Sequence, residues 1–322
     1  MKLYMLLLFN CIALFLPGVR AEDVVRLGNL KFAHYGAVSY MKEIAPKYGL
    51  RIEEHLFAKG LDIMPAVISG DIDVAASALD AAIAGRAGGA LVYVVAGFAS
   101  GGARIVARTD LAIRSIADLK GKRVGVARGG AQELLLFGEL AKYGLTWSDQ
   151  TGKDVQVVYM GFPDLNQALQ QKQIDAMCQS EPQSSQAINK GFGVEVIKPY
   201  DTEVGTPIRA LVMTEKMYKD RHDVAARFMM VFVEATRAFI ADPALAEKYV
   251  RENIFKNQIT AQDYQDALSN AAFTYDITVE HVQATTDSMM KYGVGRLVAG
   301  PVAGDWVKLD LLAQAKKELN IK

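Results

Sequence analysis

The segment Arg128-Gly129-Gly130-Ala131 places a cation and two glycines where a short apolar run gives way to a helical pattern. Backbone N–H groups at the start of a helix attract anions, and glycine lets a ligand approach the backbone closely. Arg104 follows another glycine pair, and its guanidinium can bind a carboxylate or sulfonate through two parallel hydrogen bonds. These residues predict a site for the negative end of a small molecule, although an ordinary turn and a structural salt bridge fit them as well.

A second set of polar residues suits a ligand with nitrogen-bound hydrogens. It consists of His34, Tyr35, Ser77, Asp80, Glu181 and Glu203. The carboxylates can accept hydrogen bonds from an amine or a ring N–H, while the histidine and tyrosine can stack on or hydrogen-bond an organic ligand. Helix capping by the serine, a favourable helix dipole at Asp80 and solvated surface acids are the structural alternatives. Two ligand chemistries therefore stay open, an anion and a nitrogenous ring, and the anion leads narrowly.

The sequence lacks the common signatures of catalytic and metal sites. It contains no Gly-x-Ser-x-Gly, His-Glu-x-x-His, Cys-x-x-Cys or phosphate-binding Gly-x-x-x-x-Gly-Lys-Ser/Thr motif. The histidines at positions 34, 55, 222 and 281 have no zinc-site spacing. We predict that the chain is not an enzyme and has no cofactor and no metal.

Composition favours a globular protein of about two domains. The chain has 322 residues, of which 51% are hydrophobic and 22% are charged, near the globular averages. The 36 basic side chains balance the 36 acidic ones, and no basic stripe that nucleic acid would require is present. Nucleic-acid binding is therefore not expected.

Residues 1–21 are typical of a secretory signal peptide. Lys2 precedes an apolar run from Leu3 to Leu16, Pro17-Gly18 ends that run, and Val19-Arg20-Ala21 offers small residues at the usual cleavage spacing. The run is shorter than the ~20 residues of a membrane span. Cleavage after Ala21 would leave 34 basic and 36 acidic side chains, a net charge of −2, and one cysteine, Cys178. We expect a periplasmic protein without an internal disulfide, in which Cys178 is a small buried hydrophobe.

Short apolar runs alternate with helical patterns, and this alternation occurs twice. Strands are predicted at 24–27, 51–57, 72–76 and 90–96, and again at 123–127, 154–159, 174–178 and 194–197. The runs 104–108 and 208–213 are predicted to pass between the two halves. Helices are predicted at 223–241, 243–252, 260–272, 278–292 and 306–319. The pattern predicts an α/β fold with two Rossmann-like lobes, each a parallel sheet with helices. Lobe 1 would comprise residues 22–105 plus 210–322, and lobe 2 residues 106–209. The cleft between the lobes is the expected ligand site.

Three segments resemble bacterial periplasmic solute-binding proteins. They are Ser69-Gly70-Asp71-Ile72-Asp73-Val74-Ala75, Asp118-Leu119-Lys120-Gly121-Lys122-Arg123-Val124-Gly125-Val126, and Gln173-Ile174-Asp175-Ala176 with the following Glu181-Pro182. The resemblance extends over residues 24–240, to the branch that serves ABC importers of nitrate, sulfonates, taurine and thiamine-precursor pyrimidines. It implies a two-lobed periplasmic binding protein fold of type II that closes by a hinge of two crossing strands.

The resemblance also implies partners. The chain would capture a small solute, as a monomer, and deliver it to the membrane permease and ATPase subunits of an ABC importer. A thiamine-pyrimidine synthase resembles the same fold, but the signal peptide and the single mature cysteine argue against that enzyme. A sensory domain is a third hypothesis, which would need an attached helix-turn-helix or membrane segment.

Overall fold

A computed structural model describes residues 22–321, so the predicted signal peptide lies outside the described residues. The strands form two six-stranded sheets. The first sheet contains β1 (Asp23–Leu30), β2 (Leu50–Phe57), β3 (Val74–Ala78), β4 (Val92–Gly101), β11 (Ile208–Thr214) and β12 (Ala271–Phe273). The second contains β5 (Ala103–Arg108), β6 (Arg123–Val126), β7 (Trp147–Ser148), β8 (Val155–Tyr159), β9 (Ala176–Ser180) and β10 (Gly193–Ile197). The predicted two-lobed α/β fold is confirmed.

Helices connect the strands and complete the first lobe at its C-terminal end. Those between strands are α1 (Gly36–Ile44), α2 (Gly60–Ile68), α3 (Leu79–Ala87), α4 (Ala131–Lys142), α5 (Phe162–Gln170) and α6 (Gln183–Asn189). Those after β11 are α7 (Glu215–Asp220), α8 (His222–Ala241), α9 (Pro243–Tyr249), α10 (Ala261–Leu268), α11 (Val279–Tyr292), α12 (Ala303–Trp306) and α13 (Asp310–Glu318). Within residues 22–321, no helix has the length and apolar character needed to cross a membrane.

Both sheets are mixed rather than wholly parallel. The first has the order β12-β4-β11-β3-β1-β2, and the second has the order β10-β5-β9-β6-β8-β7. The strands of the β-α units pair in parallel, as predicted, for example β1 with β2 and β3. The strands next to the lobe crossings, β11 and β5, run antiparallel to their neighbours. Parallel neighbours need a crossover connection, usually a helix, whereas β5 and β11 each enter their sheet directly from the other lobe.

The chain passes between the lobes at Gly101-Gly102 and again through residues 198–207. The runs predicted to cross each belong to a single sheet: β5 lies wholly in the second and β11 wholly in the first. The predicted lobe limits, after residue 105 and before residue 210, therefore fall inside these two strands. Gly102 has a left-handed backbone (φ 81°), and a Cβ there would lie 2.7 Å from the ring of His34. Glycine is thus needed where the chain leaves lobe 1.

The C-terminal part of the chain departs from the predicted helices. The helix predicted over 260–272 ends at Leu268, and β12 follows it. This strand pairs antiparallel with the end of β4, Ala271 opposite Gly101. Hydrogen bonding to a sheet edge replaces the last helical turn, a case in which tertiary contacts override local propensity. The helix predicted over 306–319 begins only at Asp310, as α13, and Trp306 is instead the last residue of α12.

The lobes are in contact across the cleft. The rings of Phe32 in lobe 1 and Phe162 in lobe 2 meet edge to face with centroids 5.2 Å apart. On the other side of the cleft, Trp147 of lobe 2 lies 6.2 Å from Tyr292 of lobe 1. The structure therefore represents a closed arrangement.

Candidate ligand-binding site in the interlobe cleft

Four of the predicted residues lie together on the lobe 1 side of the cleft. His34 and Tyr35 form the turn after β1, Ser77 lies near the end of β3, and Asp80 lies in the first turn of α3. All four are at least 98% buried. Both ring nitrogens of His34, the Ser77 hydroxyl and both carboxylate oxygens of Asp80 have no hydrogen-bond partner. Buried polar atoms are normally paired, so this group is prepared for a partner that the chain does not supply.

Arg209 belongs to the same group, and sequence reasoning missed it. It lies at the start of β11, opposite Ala78 of β3 and Ala99 of β4, and only 2% of its surface is exposed. Neither terminal nitrogen of its guanidinium has a hydrogen-bond partner. The sequence does contain a signal for this residue: Arg209 interrupts the apolar run Ile208 to Met213. Arginine is almost never fully buried unless it is paired, so a cation within a buried strand indicates a binding partner.

The charge of Arg209 acts on its neighbours. Burial, together with this cation, holds the pKa of His34 well below 6.5, so the imidazole is neutral at physiological pH. Burial raises the pKa of Asp80 to about 6, and Arg209 offsets part of that rise. Burial also raises the pKa of the Tyr35 phenol, which therefore remains a neutral hydroxyl. The group thus offers a ligand one permanent cation, Arg209, one carboxyl that titrates close to neutral pH, Asp80, and neutral hydrogen-bond donors and acceptors.

Lobe 2 contributes the start of α4 to the cleft. Gly129 has a left-handed backbone (φ 71°), and Gly130 is the N-cap of α4. The Gly129 N–H donates to the carboxylate of Glu133 at 2.8 Å, and the Tyr159 hydroxyl donates to the other oxygen of the same carboxylate at 2.7 Å. The protein's own Glu133 therefore occupies part of the helix start at which an external anion was predicted.

Closure brings the two helix starts against one another. Leu61 in α2 packs on Gly129, where a Cβ would lie 2.1 Å from a Leu61 methyl carbon. Ala131, 7% exposed, joins Asp80 and two leucines of α4 around a cavity of about 10 Å³. A cavity of that size admits one water molecule. The charge of Glu133 also contributes to the raised pKa of Asp80, which places carboxylates from both lobes at this point.

Arg104 and Glu181 bind each other beside this group, and the Glu181 carbonyl accepts from the Ala33 N–H, next to His34, at 3.4 Å. The Arg104 Nε lies 2.6 Å from a Glu181 carboxylate oxygen, and the other oxygen of Glu181 accepts from the Ser185 hydroxyl at 2.8 Å. Asn270 donates to Glu181 at 3.0 Å, and Arg104 donates to the Asp266 carbonyl at 2.8 Å. Burial raises the pKa of Glu181, and these partners offset part of the rise. This buried network joins lobe 2 to the C-terminal part of lobe 1 beside the crossing.

Arg128 and Glu203 lie at the rim of the cleft. The Arg128 guanidinium lies over the Tyr159 ring, 3.7 Å from its centroid, and 3.6 Å from Asp149. Glu203 is exposed and pairs with Lys291 of lobe 1. The structure therefore brings His34, Tyr35, Ser77 and Asp80 together with Gly129 to Ala131 facing them, whereas the side chains of Arg104, Arg128, Glu181 and Glu203 form ion pairs with other residues of the protein. Cys178 is fully buried, and burial raises its thiol pKa.

This architecture is that of the extracytoplasmic solute-binding proteins of ABC importers, which confirms the resemblance and the predicted class. Residues 24–252 match the NMT1-like family, and the chain belongs to it.

Relatives and solved structures agree with this class. A Brachyspira hyodysenteriae protein named "putative ABC transporter periplasmic binding protein" is 24% identical over 255 residues, 74% of this chain and 71% of that protein. A Brucella abortus protein named "putative binding protein" is 32% identical over 171 residues, so this match spans half of each chain. The alkanesulfonate-binding protein SsuA of Xanthomonas axonopodis pv. citri, solved with MOPS bound, has a TM-score of 0.75 at 18% identity over 89% of this chain and 98% of that one.

Proposed function

We propose that this solute-binding protein captures a small organic anion and that Arg209 binds the anionic group. The observation that carries the proposal is a fully buried guanidinium with two unpartnered nitrogens at the cleft. A buried cation without a partner is costly, and an anionic ligand removes that cost. A carboxylate or sulfonate matches the planar fork of arginine through two parallel hydrogen bonds.

The remaining members of the group select the other end of the solute. Asp80 presents two unpartnered oxygens, and His34 presents two unpartnered ring nitrogens. A solute with a hydroxyl, amine or ring N–H beside its acidic group would satisfy these atoms as well as Arg209. The unpartnered carboxylate favours a nitrogen-bearing solute as a second candidate, in which Asp80 and not Arg209 would be the main anchor.

Binding would favour the closed arrangement of the lobes. The polar group belongs to lobe 1, whereas Gly129 to Ala131 and Glu133 cover it from lobe 2. A ligand held by both lobes binds the closed form more tightly than the open form and so shifts the population toward closure. The closed form would then dock on the permease of the importer.

Export to the periplasm is part of the same proposal. Residues 1–21 would direct export and be removed after Ala21, so that the mature chain begins at Glu22. N-terminal sequencing of the periplasmic fraction tests this step. Recovery of the chain from the cytoplasm with Met1 intact would contradict it.

A thermal-shift screen of residues 22–322 against small sulfonates, carboxylates, amino acids and pyrimidines tests the ligand class. A ligand at 100 times its Kd raises the free energy of unfolding by about 2.7 kcal/mol. We expect acids to stabilise the protein and neutral analogues of the same size to have no effect. Stabilisation by neutral nitrogenous rings alone would transfer the role of anchor from Arg209 to Asp80.

A further inference from the structure

A second cavity, which we call the side cavity, lies between the lobes next to the first turn of α4. Its volume is about 410 Å³, within the range of pockets for small organic ligands. Lobe 1 lines it with Leu61, Ala84, Gly293, Gly295 and Arg296; lobe 2 lines it with Arg128, Gly129, Glu133, Phe137, Trp147, Ser148, Asp149 and Tyr159. It is far larger than the cavity beside Asp80, and it exists only while the lobes are in contact.

Aromatic side chains held in fixed positions form one wall of the side cavity. Trp147 stacks on Phe137 with centroids 4.8 Å apart and an angle of 25° between the rings. Tyr159 is fixed by its hydrogen bond to Glu133, and its ring carries the guanidinium of Arg128. Rigid aromatic faces bind planar groups with little loss of side-chain entropy.

Lobe 1 supplies a cation opposite this wall. Arg296 ends a turn in which Gly293, Gly295 and Arg296 all have left-handed backbones (φ 71°, 73° and 52°). Such a conformation is costly for arginine, so the surrounding structure must impose it. Arg296 forms no ion pair with any residue in the range 22–321, whereas Arg128 lies near Asp149. Arg296 is therefore the cation of the cavity that remains available to a ligand.

The first turn of α4 lies between the side cavity and the buried polar group: Gly129 and Glu133 line the side cavity, and Ala131 lines the small cavity beside Asp80. A solute with its acidic head at Arg209 would have to pass this turn, where Leu61 packs on Gly129, to reach Trp147. The carboxylate of Glu133 already accepts two hydrogen bonds, so it does not need a donor from the ligand.

We propose that the side cavity receives the body of the solute, a planar ring with a second acidic or acceptor group that faces Arg296. The solute would then be an extended ring-bearing acid and not an inorganic ion or a short aliphatic acid. This inference rests on the proposed function, because the first acidic group must bind at Arg209.

Calorimetry with two series of acids tests the inference: methanesulfonate, benzenesulfonate and 4-sulfobenzoate, and acetate, benzoate and terephthalate. We expect affinity to increase at least tenfold when the ring is added and again when the second acidic group is added. Trp147→Ala should remove the first gain, and Arg296→Gln should remove the second. Arg114→Gln, which removes an exposed arginine of lobe 2 outside the side cavity, is the matched control and should keep both gains.

Tryptophan fluorescence gives an independent readout. The protein has two tryptophans, and Trp306 is fully buried in lobe 1, so quenching by a ring-bearing acid should disappear in Trp147→Phe. If methanesulfonate or acetate binds and the ring adds no affinity, this inference is wrong and the proposed function stands. Equal gains in Trp147→Ala and the wild type would also overturn it. If no acid of either series binds, the proposed function fails and this inference fails with it.

Discussion

Replacing Arg209 by methionine separates ligand binding from folding stability. The substitution removes the charge and keeps most of the length of the side chain at a position that is 2% exposed. The two terminal nitrogens have no partner within residues 22–321, so no protein hydrogen bond of theirs is lost. The expected results are weaker binding and equal or greater stability of the ligand-free protein.

The expected changes in Kd and in stability follow from the hydrogen bonds that the ligand, and not the protein, makes to the guanidinium. Each hydrogen bond between a charged group and its ligand contributes roughly 1.5–3 kcal/mol, so loss of two should raise Kd about 150- to 20,000-fold. Replacing buried charge by well-packed apolar groups is neutral or stabilising by about 1–4 kcal/mol. Loss of Arg209 also removes the cation that lowers the pKa of Asp80, so that carboxyl should be protonated near neutral pH in the variant.

Isothermal calorimetry and urea unfolding of the same preparations measure both effects. Arg209→Lys keeps the charge without the bidentate geometry and should bind with intermediate affinity. Arg114→Met is the control for loss of an exposed arginine. Wild-type affinity in a folded Arg209→Met protein would refute the role of Arg209 as the anchor. A loss of several kcal/mol of stability without ligand would show instead that Arg209 is a structural residue.

Three further predictions address pH, closure and the hinge. The pKa of Asp80 is about 6 in the folded protein and 3.8 in the unfolded chain, so the native state holds this proton more tightly. The free energy of unfolding should therefore fall by roughly 3 kcal/mol as pH rises from about 4 to 6 and then level off. Urea unfolding at a series of pH values should show this decrease, and the same decrease in Asp80→Asn would contradict the assignment. Gly129→Ala should hinder closure because its Cβ would meet Leu61, and adding Leu61→Ala to the same chain should relieve the clash. Small-angle scattering with saturating ligand should show a larger radius of gyration for Gly129→Ala than for the double variant. Equal radii of gyration in these two variants would rule out the clash. Glu181→Ala should lower stability by roughly 1.5–3 kcal/mol, because it removes the buried one of the two carboxylates that pair with Arg104 and leaves Glu195 as the other. Thermal unfolding unchanged from wild type would show that the network carries little energy.

The sequence predicts most strands and helices well, because apolar runs mark the strands and helix faces and glycines mark the ends of helices. Strands predicted at 51–57 and 194–197 occur at 50–57 and 193–197, and the helix predicted at 278–292 begins at Val279. The spacing of apolar residues indicates which face of a segment is buried, and this spacing can be read from the segment alone. β12 has no such local signal, because its three residues, Ala271 to Phe273, form a strand only through pairing with the distant end of β4.

Roles in the site depend on sheet order, which local patterns do not reveal. β5 and β9 pair antiparallel with Arg104 opposite Gln179, so Glu181, two residues after Gln179, is the diagonal neighbour of Arg104 on the same face and lies within reach of its long side chain. Ligand residues are expected at the carboxyl ends of parallel strands, and Ser77 and Asp80 do lie there. Arg209 lies at the amino end of an antiparallel strand, and its neighbours follow only from the position of β11 between β3 and β4.

That position of β11 also bears on the order in which the lobes fold. All strands of the second sheet come from residues 103–197, so lobe 2 is a continuous segment inserted between two neighbouring strands of lobe 1. A chain synthesised only as far as residue 207 would have no partner for the facing edges of β3 and β4, which β11 later joins. Lobe 1 must close a loop of about a hundred residues before its sheet forms, and contacts of such long range form slowly. Lobe 2 should therefore fold first, and the insertion of β11, with Arg209 at its start, should complete lobe 1 and the ligand site in one late step.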